Sequence, residues 1–280
     1  MTMVAWRQIT DDLGLRVAPE RQPRRIVSLV PSWTETLFAL GAGEKVVGVT
    51  RFCVEPADGV AALPKLGGTK NPNLTELFKL SPDLVIANAE ENRREDIERI
   101  RERGIAVMTT YPRTVPGAVD SLLKIGRAIG HETEAAAMVR EIALVVSGIE
   151  AGLGVWSKLR LRAFCPIWKK PWMAFNADTY AHDVLRMMGF NNVYAAAGDR
   201  YPRTTLEEAV ERRPDIVLLP DEPYEFGPTD VEELKATLPQ ALGRRVMVIS
   251  GRDLHWYGVR MISGLPALNQ RLARLRAALL

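Results

Sequence analysis

Histidines, cysteines and convergent carboxylates are the side chains from which catalytic and metal centres are built, and in this chain they are few and dispersed. Its 280 residues include three histidines, His131, His182 and His255, and two cysteines, Cys53 and Cys165, with no CxxC spacing. Such spacing specifies neither a zinc site nor a disulfide framework, and the two thiols read as unpaired core side chains. His131 follows Gly130 at a helix junction and is expected to face solvent, whereas His182, in the first turns of a helix, is expected to be structural. His255 stands between a strand end and two aromatics and is the histidine best placed for a ligand. No GxSxG elbow, HExxH pair, P-loop or strand-following GxGxxG occurs. We therefore assign no catalytic residue, no protein-bound metal and no covalent cofactor.

What the sequence offers instead is rings and polar side chains in the segments that follow apolar runs. The candidate ligand contacts are Ser32, Trp33, Phe52, Thr69, Lys70, Asn88, Trp168, Lys169, Trp172, Tyr201, Arg203, Tyr224, His255, Trp256 and Tyr257. Trp168, Trp172 and Trp256 fall on expected loops, where a core does not demand so large a ring. Flat aromatic walls with a few cations suit a large organic ligand, because each ring covers much area and fixes orientation. Lys70, Lys169 and Arg203 would pair with ligand carboxylates or phosphate. Ser32, with Glu35 three residues on, has the spacing of a capping box at a helix N-terminus, an end that also attracts anionic groups.

In open parallel sheets, ligands lie beyond the carboxyl ends of the strands, so these loops need strands behind them. Strands are expected at RIVSLV (25–30), KVVGVT (45–50), DLVIA (83–87), IAVMTT (105–110), LRAFCPIW (161–168), DIVLL (215–219) and RVMVIS (245–250). Helical patterns at 32–41, 92–104, 115–130 and 179–190 alternate with them. The runs are too uniformly apolar to have a wet face, so the class is α/β with parallel sheets. LTELFKLSPDLVIA (74–87) aligns without gaps on LEEAVERRPDIVLL (206–219), which implies two similar lobes. Between them, 132–159 is apolar-periodic and rich in Ala, Glu, Met and Leu, so one long helix is expected at the junction. The expected organisation is an N-terminal α/β lobe over 1–130, a connecting backbone helix over 131–158 and a C-terminal α/β lobe over 159–280, with a ligand cleft between lobes.

Lys plus Arg numbers 37 against 34 for Asp plus Glu, a net charge of +3, and the charges interleave, as in RREDIERIRERG (93–104). That pattern is a solvated helix face and excludes a nucleic-acid footprint. No run approaches the ~18 apolar residues of a membrane span, and MTMVAWRQITDDLGL at the start has no signal-peptide pattern. From these residues alone the chain is expected to be monomeric, not membrane-inserted and cytoplasmic as written.

RIVSLVPSWTETLFALGAGEKVVGVT (25–50), NPNLTELFKLSPDLVIA (71–87) and the long mid-chain helix together resemble the class III, helical-backbone substrate-binding proteins of ABC importers, most closely their cobalamin-binding branch. The resemblance runs from about Arg25 to the C-terminus. It implies two Rossmann-like lobes joined by a rigid helix, a bound cobalamin, related corrinoid, haem or ferric siderophore, and an extracytoplasmic location. It also implies docking to an ABC permease dimer through a glutamate on each lobe's surface helix. The second-lobe position matches Glu207; the first-lobe position is Thr75, with Glu76 one residue later and rotated by about 100°. Two alternatives stay open: a cytoplasmic sensing or regulatory module of the same fold, and a chelatase-like enzyme in which His255 with Glu90 or Glu91 abstracts protons.

Overall fold

The computed structural model describes residues 9–17, 19, 21–154 and 158–278. In chain order it shows an antiparallel pair, β1 (Ile9–Thr10) and β2 (Arg16–Val17), then β3 (Ile26–Ser28), α1 (Pro31–Ala39), β4 (Val46–Val49), α2 (Ala57–Val60), α3 (Leu74–Lys79), β5 (Leu84–Asn88), α4 (Arg94–Glu102), β6 (Ala106–Thr110) and α5 (Val115–Ile129). Helix α6 (Glu132–Gly152) leads to β7 (Leu161–Phe164), β8 (Trp172–Met173), α7 (Tyr180–Met187), β9 (Phe190–Asn192), β10 (Arg203–Thr204), α8 (Leu206–Glu211) and β11 (Ile216–Pro220). The chain ends through α9 (Pro228–Thr237), α10 (Gln240–Gly243), β12 (Val246–Ile249), α11 (Gly251–His255) and α12 (Arg260–Ala278). It divides into two units: the first holds most of the described chain up to Glu141 together with Tyr257–Arg260, and the second holds Arg113–Val115, Ile142–Trp256 and the chain from Met261 on.

Each unit is built on a four-stranded parallel sheet, in the order β4-β3-β5-β6 in the first and β9-β7-β11-β12 in the second. Numbered by occurrence within its unit, each sheet reads 2-1-3-4, so the duplication seen in sequence is a duplication of topology. It extends to single residues. Helices α3 and α8 have six residues each and strands β5 and β11 five each. Between them the chain reverses through a left-handed residue in both copies, Ser81 (φ 45°) and Arg213 (φ 50°). Asp83 accepts the backbone N–H groups of Arg24 and Arg25 at 2.9–3.1 Å, and Asp215 accepts that of Arg162 at 2.7 Å. In return Arg25 donates from Nε to the Leu80 carbonyl, while Arg162 donates to the Arg212 and Arg213 carbonyls. Each arginine thereby satisfies carbonyls left open at the end of the preceding helix.

Apolar burial holds the sheets. Val27, Leu77, Val85, Ile100 and Val107 cluster in the first unit, and Phe164, Val217, Leu219 and Leu234 in the second. Cys53 and Cys165 are both buried free thiols. Among the described residues, no helix is long and apolar enough to cross a membrane.

Three local expectations are corrected. Helix α1 begins at Pro31, with Val30 as its N-cap and no side-chain cap, so Ser32 lies inside the helix and the Ser32–Glu35 capping box does not form. Proline favours the first helical position, where its missing N–H is no loss, and Glu35 instead pairs with Arg260 at 2.6 Å. Helix α6 ends at Gly152, short of the expected 159; Gly154 follows with φ 49°, and residues 155–157 lie outside the described residues. His131 does not face solvent freely, since its Nε2 lies 3.0 Å from the Lys45 ammonium. Strand β9 and helix α12 went unforeseen because β9 is a three-residue FNN and α12 carries Pro266 in its interior.

Leu77 is fully buried, whereas Leu206 only packs against the edge of its cluster. Leu77→Ala is therefore expected to destabilise by about 2–5 kcal/mol and Leu206→Ala by clearly less in urea unfolding; equal losses would contradict this packing.

Candidate functional site

In the first unit, the carboxyl ends of β5 and β6 are closed by a buried polar network. Asn88 and Thr110 are the last residues of these strands, and both are buried. The Trp33 indole N–H donates to Thr110 Oγ1 at 2.8 Å, and Thr110 in turn donates to the Ala87 carbonyl at 3.1 Å. Asn88 Nδ2 donates to the Tyr257 hydroxyl at 2.8 Å, while its Oδ1 receives the N–H groups of Glu90 and Glu91 at 2.7 and 3.2 Å. The Trp33 and Tyr257 rings lie 4.8 Å apart. Burial, with Glu91 and Glu90 nearby, pushes the Tyr257 phenol well above its usual range, so it stays protonated. Gly258 completes the packing: its φ is 75°, and a Cβ there would lie 2.1 Å from Thr36 Oγ1.

The neighbouring loops carry Phe52, Thr69 and Lys70. Phe52 is exposed, with the Arg51 guanidinium 4.9 Å from its ring centroid. The Thr69 carbonyl accepts from Asn92 Nδ2 at 2.9 Å, and the Lys70 ammonium donates to the Glu90 carbonyl. These bonds tie the Gly67–Asn71 loop to the end of β5. The structure thus brings Trp33, Asn88 and Tyr257 into one network with Thr110, and draws Thr69 and Lys70 to the Asn88–Asn92 turn beside it.

In the second unit, the segment after β7 folds back as a hairpin, with Ile167 N–H bonded to the Met173 carbonyl and Met173 N–H to the Trp168 carbonyl. Lys170, at φ 67°, makes the turn. Strand β8 then pairs antiparallel with β10, setting Arg203 opposite Met173. The result is a series of rings: Trp168 meets Tyr224 edge-on at 5.5 Å, Tyr224 lies 4.5 Å from Phe226, and Phe226 stacks on Trp172 at 5.8 Å and 9°. Trp168 is 44% exposed and Tyr201 37%, so both present ring surface to solvent.

Several expected contacts fall elsewhere. Trp33 is fully buried, so its ring supports the network rather than presenting a surface. Trp172 packs against the core of the second unit, contrary to its expected loop placement. Trp256 is 9% exposed and lies 5.3 Å from the Arg252 guanidinium. Lys169 is not a cation open to ligand: it is 8% exposed and bonded to Asp230 at 2.6 Å and Glu233 at 2.7 Å. Burial works against its charge, but the two carboxylates outweigh that and raise its pKa. His255 packs edge-on against Phe175 at 6.3 Å, and its buried Nε2 has no hydrogen-bond partner. A proton-abstracting nitrogen must reach its substrate, and this one is buried. Among the described residues, no group of three or more His, Cys, Asp or Glu is placed to hold a metal ion.

The residues that sequence reasoning missed are Thr110, Asp230 and Glu233. Thr110 carried a signal, since it closes the IAVMTT run as Asn88 follows DLVIA. Asp230, third in a helix opened by Pro228, also carried one.

Burial lowers the His255 pKa from 6.5 to about 4. The folded state keeps the ring neutral while the unfolded chain binds a proton below about pH 6.5, so this stabilisation is present above that pH and is lost as pH falls toward 4. The full difference is on the order of 3 kcal/mol. His255→Leu is expected to flatten the loss of urea stability between pH 6.5 and 4, and an unchanged slope would place the ring outside the core.

Comparison with known proteins gives this arrangement its family. A vitamin B12-binding protein of Vibrio parahaemolyticus is 22% identical over 193 residues, 69% of each chain. An uncharacterised ABC transporter substrate-binding lipoprotein, YvrC of Bacillus subtilis, is 29% identical over 218 residues, 76% of this chain and 68% of the relative. The structure of a periplasmic haem-binding protein from Roseiflexus superposes with a TM-score of 0.77 at 21% identity, covering 90% of this chain and 98% of that one. The family model described as periplasmic binding protein matches residues 26–241, from β3, the first strand of the first parallel sheet, into α10, just before β12 of the second. With one match spanning the duplicated segments of both units and more than half of the chain, the chain belongs to the periplasmic binding protein family.

Proposed function

We propose that this protein is a solute-binding protein that captures a large metal-containing organic ligand, namely cobalamin or a related corrinoid, haem or a ferric siderophore, for ABC-type import. The observation that carries this reading is the ring series Trp168–Tyr224–Phe226–Trp172, solvent-exposed at its Trp168 end. Exposed rings held by other rings favour the face or edge of a broad, partly apolar ligand and lose little entropy on binding. Within the second unit Tyr201 and Arg203 are further candidate contacts; within the first unit the candidates are Phe52, Thr69, Lys70 and the Asn88 turn. The vitamin B12-binding and haem-binding relatives support the ligand class. The lipoprotein relative supports an extracytoplasmic location.

Docking to a permease would use Glu76 and Glu207, both exposed near the starts of α3 and α8. The two are not equivalent. Glu207 is the second residue of its helix, with its carboxylate held below the usual range by its own backbone N–H and the Thr205 hydroxyl. Glu76 is the third residue of its helix and pairs with Lys79 at 2.7 Å.

Tryptophan fluorescence of the purified protein, titrated in parallel with cyanocobalamin, haemin and ferrichrome, tests the reading. Saturable 1:1 quenching by one of them is expected, weakened at least tenfold in Trp168→Ala with little change in thermal stability. No saturable response to any of the three, or full affinity in Trp168→Ala, would overturn it.

A further inference from the structure

The exposed ring at the end of the series stands on a hairpin that has its own ionic anchor. Lys169, next to Trp168 at the turn, is almost fully withdrawn from solvent. Its ammonium bonds to Asp230 at 2.6 Å and to Glu233 at 2.7 Å, both on α9. The two carboxylates lie three residues apart and therefore on one face of that helix. Asp230 is doubly committed, because its other oxygen accepts the Gly227 N–H at 2.9 Å and so closes the first turn of α9. Lys169 and that backbone N–H together outweigh burial and keep the Asp230 carboxyl below its usual range.

The consequence is geometric. Tyr224 and Phe226, which hold Trp168 and Trp172, lie in the short segment that leads into α9. One ion triad therefore joins the two pieces of chain that supply the ring series: the 165–173 hairpin and the 224–230 segment. Only two hydrogen bonds and the isolated Trp168–Met173 bridge close the hairpin itself, and Lys170 at its turn has a left-handed φ of 67°. Strand β8 ties one arm of the hairpin to β10 and Tyr224 meets the Trp168 ring edge-on; the triad adds the ionic contact that fixes the turn beside Trp168, which two hairpin hydrogen bonds by themselves would hold only marginally.

We propose that Lys169 is a positioning residue: by binding Asp230 and Glu233 it locks the hairpin to α9 and holds Trp168 in the orientation that meets the ligand. This deepens the proposed function and rests on it. The order of the hairpin itself depends on Lys169 whether or not ligand is present. Lys169 makes no contact with ligand, so its loss acts through Trp168.

The test compares Lys169→Met, Lys169→Arg and Lys169→Cys in the full chain, the last before and after alkylation with 2-bromoethylamine, which rebuilds a lysine-length ammonium. The alkylation is done in a Cys53→Ser, Cys165→Ala background, so that position 169 carries the sole thiol, and the other variants are compared in the same background. The ligand-free readout is the Trp168 contribution to fluorescence, taken as the difference from the matching Trp168→Phe protein and followed by acrylamide quenching and anisotropy. Lys169→Met is expected to at least double the quenching constant of Trp168 and lower its anisotropy, with Lys169→Arg and the alkylated cysteine restoring both. The ligand readout is the affinity for whichever of cyanocobalamin, haemin and ferrichrome the wild-type protein binds, expected to fall at least tenfold in Lys169→Met and to recover in the two rescued forms. Unchanged Trp168 quenching in Lys169→Met would overturn the inference, as would wild-type affinity in that variant. If the wild-type protein binds none of the probes, the proposed function fails, whereas the quenching result still decides whether Lys169 holds the hairpin.

Discussion

One aspartate in each unit accepts backbone N–H at the start of the first strand of its parallel sheet, Asp83 from Arg24 and Arg25 and Asp215 from Arg162, and this contact ties the third strand to the first. Asp83 and Asp215 stand at the entry to β5 and β11, and their carboxylates fix those strands against β3 and β7. A strand slipped by one residue turns its whole pattern of side chains to the other face. Pinning the amino ends therefore also decides which residues emerge at the carboxyl ends. In the first unit these are Asn88 and, through the paired register of β5 and β6, Thr110. In the second, Pro220 is the corresponding end, and the aromatic segment 224–226 begins four residues later. The aspartate bonds are solvent-exposed and individually modest. Their importance lies in registration, with buried strand residues supplying most of the stability.

The two carboxyl edges have diverged in chemistry. The first is closed by a polar network in which an indole, a threonine, an asparagine and a phenol satisfy one another. Such a network is costly if half-made and rigid when complete, which makes it a fixed floor beneath the Thr69–Lys70 loop. The second edge is aromatic, with an exposed ring carried on a hairpin and a cation consumed by its own carboxylates. Ring area gives broad affinity there, while directional hydrogen bonding is concentrated in the first unit.

Much of this was legible from residue patterns. The alignment of 74–87 on 206–219 anticipated a common helix–turn–strand element, and the structure reproduces it down to the left-handed turn residue. Uniformly apolar runs revealed the buried parallel strands because both faces of such strands must be covered. What escaped has physical reasons. Ser32 has the right spacing for a cap, yet Pro31 starts the helix earlier, so local chemistry was outcompeted by its neighbour. Lys169 reads as a free cation in one dimension because its partners lie 61 and 64 residues away. Trp172 lies in the two-residue strand β8 and Trp256 just after α11, and only the tertiary structure shows that the first packs against a core and the second against Arg252. Pro266 concealed α12, since tertiary packing tolerates a proline that propensity would exclude.

The most direct measurement is amide hydrogen exchange of the full chain, followed by mass spectrometry, with and without saturating cyanocobalamin and, separately, haemin. A solute-binding protein that uses the carboxyl-end loops should gain protection in peptides covering 67–71, 88–92, 167–173 and 224–226 with one of these ligands, and the central strands should stay unchanged. Protection confined to the amino-end turns around Ser81 and Arg213, or none with either ligand, would contradict it.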